Sequence, residues 1–308
     1  MYHPAYEVPL SPSHPFPMSK YPLLKTLLLA EGIITLDDLM EPEPLGMPVL
    51  ERVHTREYLD RLTSSALSAA EVRRLGLPWS DALWQRSTLA AAGTLLAART
   101  ALRDGLAANL AGGTHHAFPD HGEGFCVLND VAIAISQLRA EGLIRRAAVI
   151  DLDVHQGNGT AAIFEHVDDV FTFSMHGERN YPLAKTRSNL DVPLRDGAGD
   201  AEYLQQLAEN LPLVLERSQA QLGIYLAGVD VAAGDRYGKL ALSESGVAQR
   251  DRFVIETVRR RGIPLAIVLA GGYAACRERT AELHTHVFRA AAAFEQQAAP
   301  AAAPVGAG

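Results

Sequence analysis

The chain has 308 residues and a formal charge of −8, from 28 basic and 36 acidic side chains. That balance argues against nucleic acid or an anionic membrane as the main partner, and an apolar content of 48% suffices for a large core. Two cysteines, Cys126 and Cys276, exclude a disulfide framework. Neither sits in a Cys-x-x-Cys pair, so a thiolate zinc site is not expected and the chain suits a reducing compartment. The start, Met1-Tyr2-His3-Pro4, lacks the layout of a signal peptide. The longest apolar run, 264–275, is too short and Gly-rich to span a bilayer. A cytoplasmic protein is expected.

In chain order, an irregular Pro-rich arm (His3-Pro4 through His14-Pro15-Phe16-Pro17-Met18) comes first, shaped by proline's fixed φ. Helical patterns follow over 21–31, 56–70 and 80–103, the last closing at Asp104-Gly105. Short apolar segments then alternate with amphipathic ones. Strands are expected at 107–111, 147–152, 170–175, 224–228 and 265–270, and helices at 129–141, 201–218, 245–261 and 277–295. Apolar strands between helices predict an α/β fold with a parallel sheet covered on both faces. One domain is expected over 1–296, followed by a structureless Ala/Pro/Gly tail over 297–308.

In such sheets, sites form beyond the carboxyl ends of the strands. Five strand ends carry acids, histidines or a tyrosine beside glycines. They are Gly112-Gly113-Thr114-His115-His116, Asp151-Leu152-Asp153-Val154-His155, Ser174-Met175-His176, Asp230 with Asp235, and Gly271-Gly272-Tyr273. Residues i, i+2 and i+4 of an extended chain share a face, so Asp151, Asp153 and His155 converge. The alternative is a strand end whose acids face water. Asp153, His155 and Asp235 supply three ligands from two strand ends, and three ligands with an open position mark a catalytic zinc. Asp235 reads equally as a solvated loop acid or a partner of Arg236. For His115 and His116 to enter one cleft the backbone must be irregular, which Gly112-Gly113 permits; taken alone, one core and one solvated histidine is the simpler reading. Tyr273 is either a packed aromatic or a donor to an oxyanion.

Taken in order, Gly112-Gly113-Thr114-His115-His116-Ala117, Gly124-Phe125-Cys126-Val127-Leu128-Asn129-Asp130, Asp151-Leu152-Asp153-Val154-His155-Gln156-Gly157-Asn158-Gly159, Ala233-Gly234-Asp235 and Gly271-Gly272-Tyr273 resemble the histone deacetylase superfamily. The opening, His14-Pro15-Phe16-Pro17-Met18-Ser19-Lys20, is similar to its short class IV-like and bacterial branch. The resemblance implies a three-layer α/β/α fold of arginase–deacetylase type, with about eight strands in a mostly parallel sheet. It implies hydrolysis of N-acyl amides, acyl-lysine or a related acylated amine foremost, by a water activated at zinc. Asp153, His155 and Asp235 then hold Zn²⁺, although two carboxylates and an imidazole do not exclude Fe²⁺. His115 and His116 are the catalytic histidines, Asp151 the acid on His115, and Tyr273 the residue that polarises the carbonyl. Asn158 stands beside His116 where some members have aspartate. An amide stabilises an imidazolium less, which suits His116 to be the base. Gly124, Phe125 and Tyr181 line the acyl-lysine tunnel. Leu242 falls near a position where acetylpolyamine-selective relatives carry Glu. A structural K⁺ is implied at Asp151, Asp153, His155, Ser174 and Met175. Alternatives are an acetylpolyamine or small-amide amidohydrolase, a two-manganese ureohydrolase and a non-catalytic acyl-lysine binding module.

Overall fold

Ala147–Asp151 (β2) is buried at every position, as an apolar strand covered on both faces must be. The structure, a computed structural model, describes residues 1–298. β2 lies within a sheet formed with β1 (Leu106–Ala108), β3 (Val170–Gly177), β4 (Leu190–Leu194), β5 (Leu222–Leu226) and β6 (Leu265–Val268). The order is β1-β6-β5-β2-β3-β4 and every pairing is parallel. After β2 the chain adds β3 and β4 on one side; it then returns to place β5 and β6 on the other. The topological switch point therefore lies between β2 and β5, where ligand crevices form in such sheets.

The helices are α1 (Lys20–Ala30), α2 (Met47–Leu50), α3 (Arg56–Thr63), α4 (Ala69–Leu75), α5 (Asp81–Asp104), α6 (Asp130–Ala140), α7 (Asn158–Phe164), α8 (Asp200–Ser218), α9 (Glu244–Arg259) and α10 (Arg277–Ala298). Ser80 caps α5 through its hydroxyl and Gly105 ends it. The single helix expected over 56–70 is two. Ser65 takes a positive φ of 54°, and Ser68 with Glu71 forms a capping box that restarts the helix as α4. α5 packs on β1 and β6, and α8 on β2 and β3.

The resemblance implies about eight strands; among the described residues the sheet has six. β4 escapes the sequence pattern because it contains Pro193, which cannot donate to a ladder and suits the sheet edge that β4 occupies. α10 takes in Gln297 and Ala298. The rest of the expected tail, 299–308, lies outside the described residues. Among the described residues no helix is long and apolar enough to cross a membrane.

Candidate active site

β2 ends at Asp151, and residues 153–155 bend away from strand geometry. The bend separates the three polar side chains. Asp151 Oδ2 meets His115 Nδ1 at 2.7 Å, while Asp153 Oδ1 lies 3.0 Å from His155 Nδ1. The third group at His155 comes from the loop after β5, across the switch point. It is Asp230, whose Oδ2 is 3.2 Å from the same Nδ1. Asp153, His155 and Asp230 are all buried, and their ligand atoms lie within 4.8 Å of one another.

Asp235, the expected third ligand, is not one of the three residues whose ligand atoms cluster within 4.8 Å, yet its charge acts on Asp230 and it feels that of His155. Its carboxylate accepts backbone N–H groups from Tyr237 (2.9 Å), Gly238 (2.9 Å) and Tyr273 (2.6 Å). These bonds anchor the loop and leave acceptor capacity on the carboxylate. Asp230 is the first acid after the strand.

The donor set fits a divalent cation. Asp230 Oδ2 is buried and faces His155 Nδ1 at 3.2 Å, with no other donor, an arrangement that is costly without positive charge nearby. Burial and Asp153 push Asp230 up to about 7. Burial pulls His155 down, but Asp153 and Asp230 outweigh it and carry it up to about 10. A cation between two carboxylates and a neutral imidazole relieves the same crowding, with ligand types zinc accepts. Gly271 makes room: a Cβ there would strike Asp230 Oδ2 and Asp153 Oδ2, and its N–H donates to Asp153 Oδ2 at 2.6 Å.

His115 and His116 enter the same space, with ring centroids 4.1 Å apart. Gly112 and Gly113 make this turn with φ of +84° and +75°. Asp130, at the start of α6, locks it by accepting from the N–H groups of Gly113 (3.0 Å) and Thr114 (2.7 Å). The two histidines differ in proton affinity. Burial opposes the protonation of His115, but Asp151 and Asp153 raise it to about 9. Burial, then the charges of His115 and His155, hold His116 well below the usual range.

His116 Nδ1 is 2.6 Å from Asn158 Oδ1. Asn158 Nδ2 donates to Glu123 Oε1 at 2.7 Å. The amide nitrogen is thus committed to Glu123, so the amide oxygen must face His116 and Nδ1 must carry the proton. That leaves Nε2 as the basic nitrogen. Burial opposes ionisation of Glu123, yet His121, Tyr181 and Asn158 keep its carboxyl below the ordinary range. Sequence reasoning assigned Glu123 no role, since an acid two positions before Phe125 carries no signal until the fold sets it behind Asn158.

His116 and His155 border a cavity of about 340 Å³ that reaches the surface. Gly124, Phe125, Tyr181 and Tyr273 line it with His116 and His155. Tyr181 stands edge-on to His116 at 5.0 Å, and Tyr273 packs against Tyr237 (5.0 Å) and Phe125 (5.9 Å). Burial, then Asp153 and Asp230, keep the Tyr273 phenol protonated, well above its usual value. Leu242 is not in this cavity. It is buried, and its N–H donates to Val231 O at 3.1 Å; Tyr237 lines the wall instead. Ser174 pairs with Asp151 in register, its Oγ 3.0 Å from His176 Nδ1, and Met175 follows it, both buried. Behind the site, buried Lys20 of α1 donates to Ala270 O at 2.8 Å, steadying the segment that leads to Tyr273.

Residues 14–291 match the histone deacetylase domain. An uncharacterized protein of Picosynechococcus is 46% identical over 94% of this chain and 97% of its own length. Histone deacetylase 2 of Arabidopsis thaliana is 34% identical, covering 84% of this chain and 70% of its own. The crystal structure of a histone deacetylase homologue complexed with SAHA superposes with a TM-score of 0.76 at 27% identity, covering 88% and 77% of the two chains. A domain match across nearly the whole described chain, carried on this sheet order and this histidine pair, places the chain in the histone deacetylase family.

Proposed function

We propose that the chain is a metal-dependent hydrolase of N-acyl amides, acting on acyl-lysine, with the cation held by Asp153, His155 and Asp230. The observation that carries this reading is the buried cluster of Asp153, His155 and Asp230, with ligand atoms within 4.8 Å of one another, beside the paired rings of His115 and His116. Zn²⁺, or Fe²⁺ on the same ligands, supplies Lewis acidity toward an acyl oxygen and a water when bound.

The chain's own residues do the rest. Phe125 and Tyr181 offer the aromatic walls along which an aliphatic lysine stem packs. His116, neutral and with Nε2 free, accepts the proton of the attacking water and returns it to the departing amine. His115, protonated through Asp151, holds positive charge beside the developing oxyanion. Tyr273, kept protonated, donates a hydrogen bond to that oxyanion. Beyond the histidines lies an inner chamber of only about 30 Å³, which supports a short acyl group. A structural K⁺ at Asp151, Asp153, His155, Ser174 and Met175 belongs to the same proposal.

The test is turnover of a fluorogenic acetyl-lysine peptide by Zn²⁺-loaded and Fe²⁺-loaded protein, with metal content measured. Hydrolysis that needs one ion per chain supports the reading. Absence of hydrolysis with every acyl length and both metals refutes it.

A further inference from the structure

The wall of the cavity around its mouth carries Arg74, Arg179 and Lys239, and no carboxylate. The chain as a whole is acidic, with 36 acidic against 28 basic residues, so composition does not account for three cations here. All three are exposed, and among the described residues none is within ion-pair distance of an acid. They are held in place by the backbone. Arg74 sits at the end of α4, where its carbonyl accepts from Gly124 N–H (3.3 Å) and Leu75's from Phe125 N–H (2.8 Å). Lys239 Nζ donates to Arg179 O at 3.0 Å, which sets two cationic residues side by side.

The nearest acids do not offset them. Glu123 is committed to the Asn158 amide, with His121 3.6 Å away. Glu178 precedes Arg179 in sequence but forms no ion pair. Like charges clustered on a cleft with low-dielectric aromatic walls focus a positive potential into it. Such a field repels a cationic substrate and draws in an anionic one.

We infer that the preferred substrate carries a carboxylate just outside the tunnel, next to the acylated amine: an acyl-lysine with its own free carboxylate, or one flanked by Asp and Glu. The inference rests on the acyl-amide reading of the same site. It sets acylated polyamines, which are cationic beyond the amide, among the poor substrates.

The experiment compares acetyl-lysine peptides flanked on both sides by Asp, by Ala or by Lys, together with free Nε-acetyl-lysine, its carboxamide and N-acetylspermidine. The Zn²⁺-loaded full chain is used at low and high NaCl. Asp-flanked peptide should exceed Lys-flanked peptide in kcat/KM by about 10-fold or more at low salt, shrinking to about 2-fold in ~0.5 M NaCl. Free acetyl-lysine outrunning its carboxamide would identify the amino acid's carboxylate as one source of the charge; equal rates confine it to peptide flanks. The triple variant Arg74→Gln/Arg179→Gln/Lys239→Gln should bring the Asp-to-Lys ratio close to one. Equal use of acidic and basic peptides, better use of N-acetylspermidine, or an unchanged ratio in the variant would overturn the inference. Equilibrium binding of the labelled peptides separates the two readings. Salt-sensitive preference for the acidic peptide without any hydrolysis retains the anionic mouth and refutes the hydrolase. Hydrolysis without charge preference does the reverse.

Discussion

Asp230 Oδ2 faces His155 Nδ1 at 3.2 Å and receives no hydrogen bond from anywhere else. Asp235, five residues on, accepts from three backbone donors. The two acids should therefore part company when mutated. Asp230→Ala should drop metal content from about one ion per chain to near zero and abolish turnover. Asp235→Ala should keep the ion, lose about 1–3 kcal/mol of stability from three orphaned N–H groups, and lower kcat as Tyr273 loosens. Metal analysis by mass spectrometry with thermal melting decides. Metal loss in the Asp235 variant alone would reverse the assignment.

Metal uptake should expel protons. His155, raised to about 10, and Asp230, raised to about 7, must both be deprotonated to act as ligands. Zn²⁺ affinity should therefore climb with pH up to the neutral range and beyond. Titration calorimetry in buffers of different ionisation enthalpy counts the protons released. Zero release would contradict the geometry.

The metal-free protein should lose stability as pH rises. His115 and His155 have folded values of about 9 and 10, above the ordinary 6.5. Their contribution is complete below about 6.5 and lost through 9 and 10, because the folded state binds more protons over that window. Asp230 adds the same sign, being raised from 3.8 to about 7. Melting temperatures across pH 6 to 10 check this; a rising curve refutes it.

Glu123 acts on His116 through Asn158. Glu123→Ala frees the amide to rotate, and activity should fall on the order of 10-fold or more, as for other partners that orient a working histidine. The pH–rate profile should change shape as Nδ1 loses its fixed proton, whereas a merely structural loss leaves the profile's shape intact and lowers its height.

On the proposed mechanism, Tyr273→Phe removes one oxyanion donor. kcat should drop about 10²–10³-fold with KM and metal content held near wild type. Steady-state kinetics on the acetyl-lysine peptide measures it.

Much of this was legible from residues alone. The apolar run 147–150 ending in Asp151 announced β2, while the bend at 153–155, not strand alternation, sets Asp153 beside His155. Tandem histidines after two glycines foretold an irregular turn, and positive φ at both glycines is how it is made. What stayed hidden depended on distances across the fold. That Asp230 reaches His155 depends on the course of the loop after β5. Glu123 required α7 to carry Asn158 between it and His116. Leu242 bonds to Val231 instead of facing the cavity, and β4 is an edge strand whose proline disguises it.

The bond from Lys20 to Ala270 joins positions 250 apart in the chain. Between them lies every residue assigned to the chemistry except Tyr273, which follows within three positions. The consequence is developmental: a growing polypeptide has its histidines and first two ligands early, yet cannot close the pocket until the last strand is made and the opening helix is still free to receive it. Turnover at the proposed site should thus read out completed folding, with no dim version of it from an internal fragment.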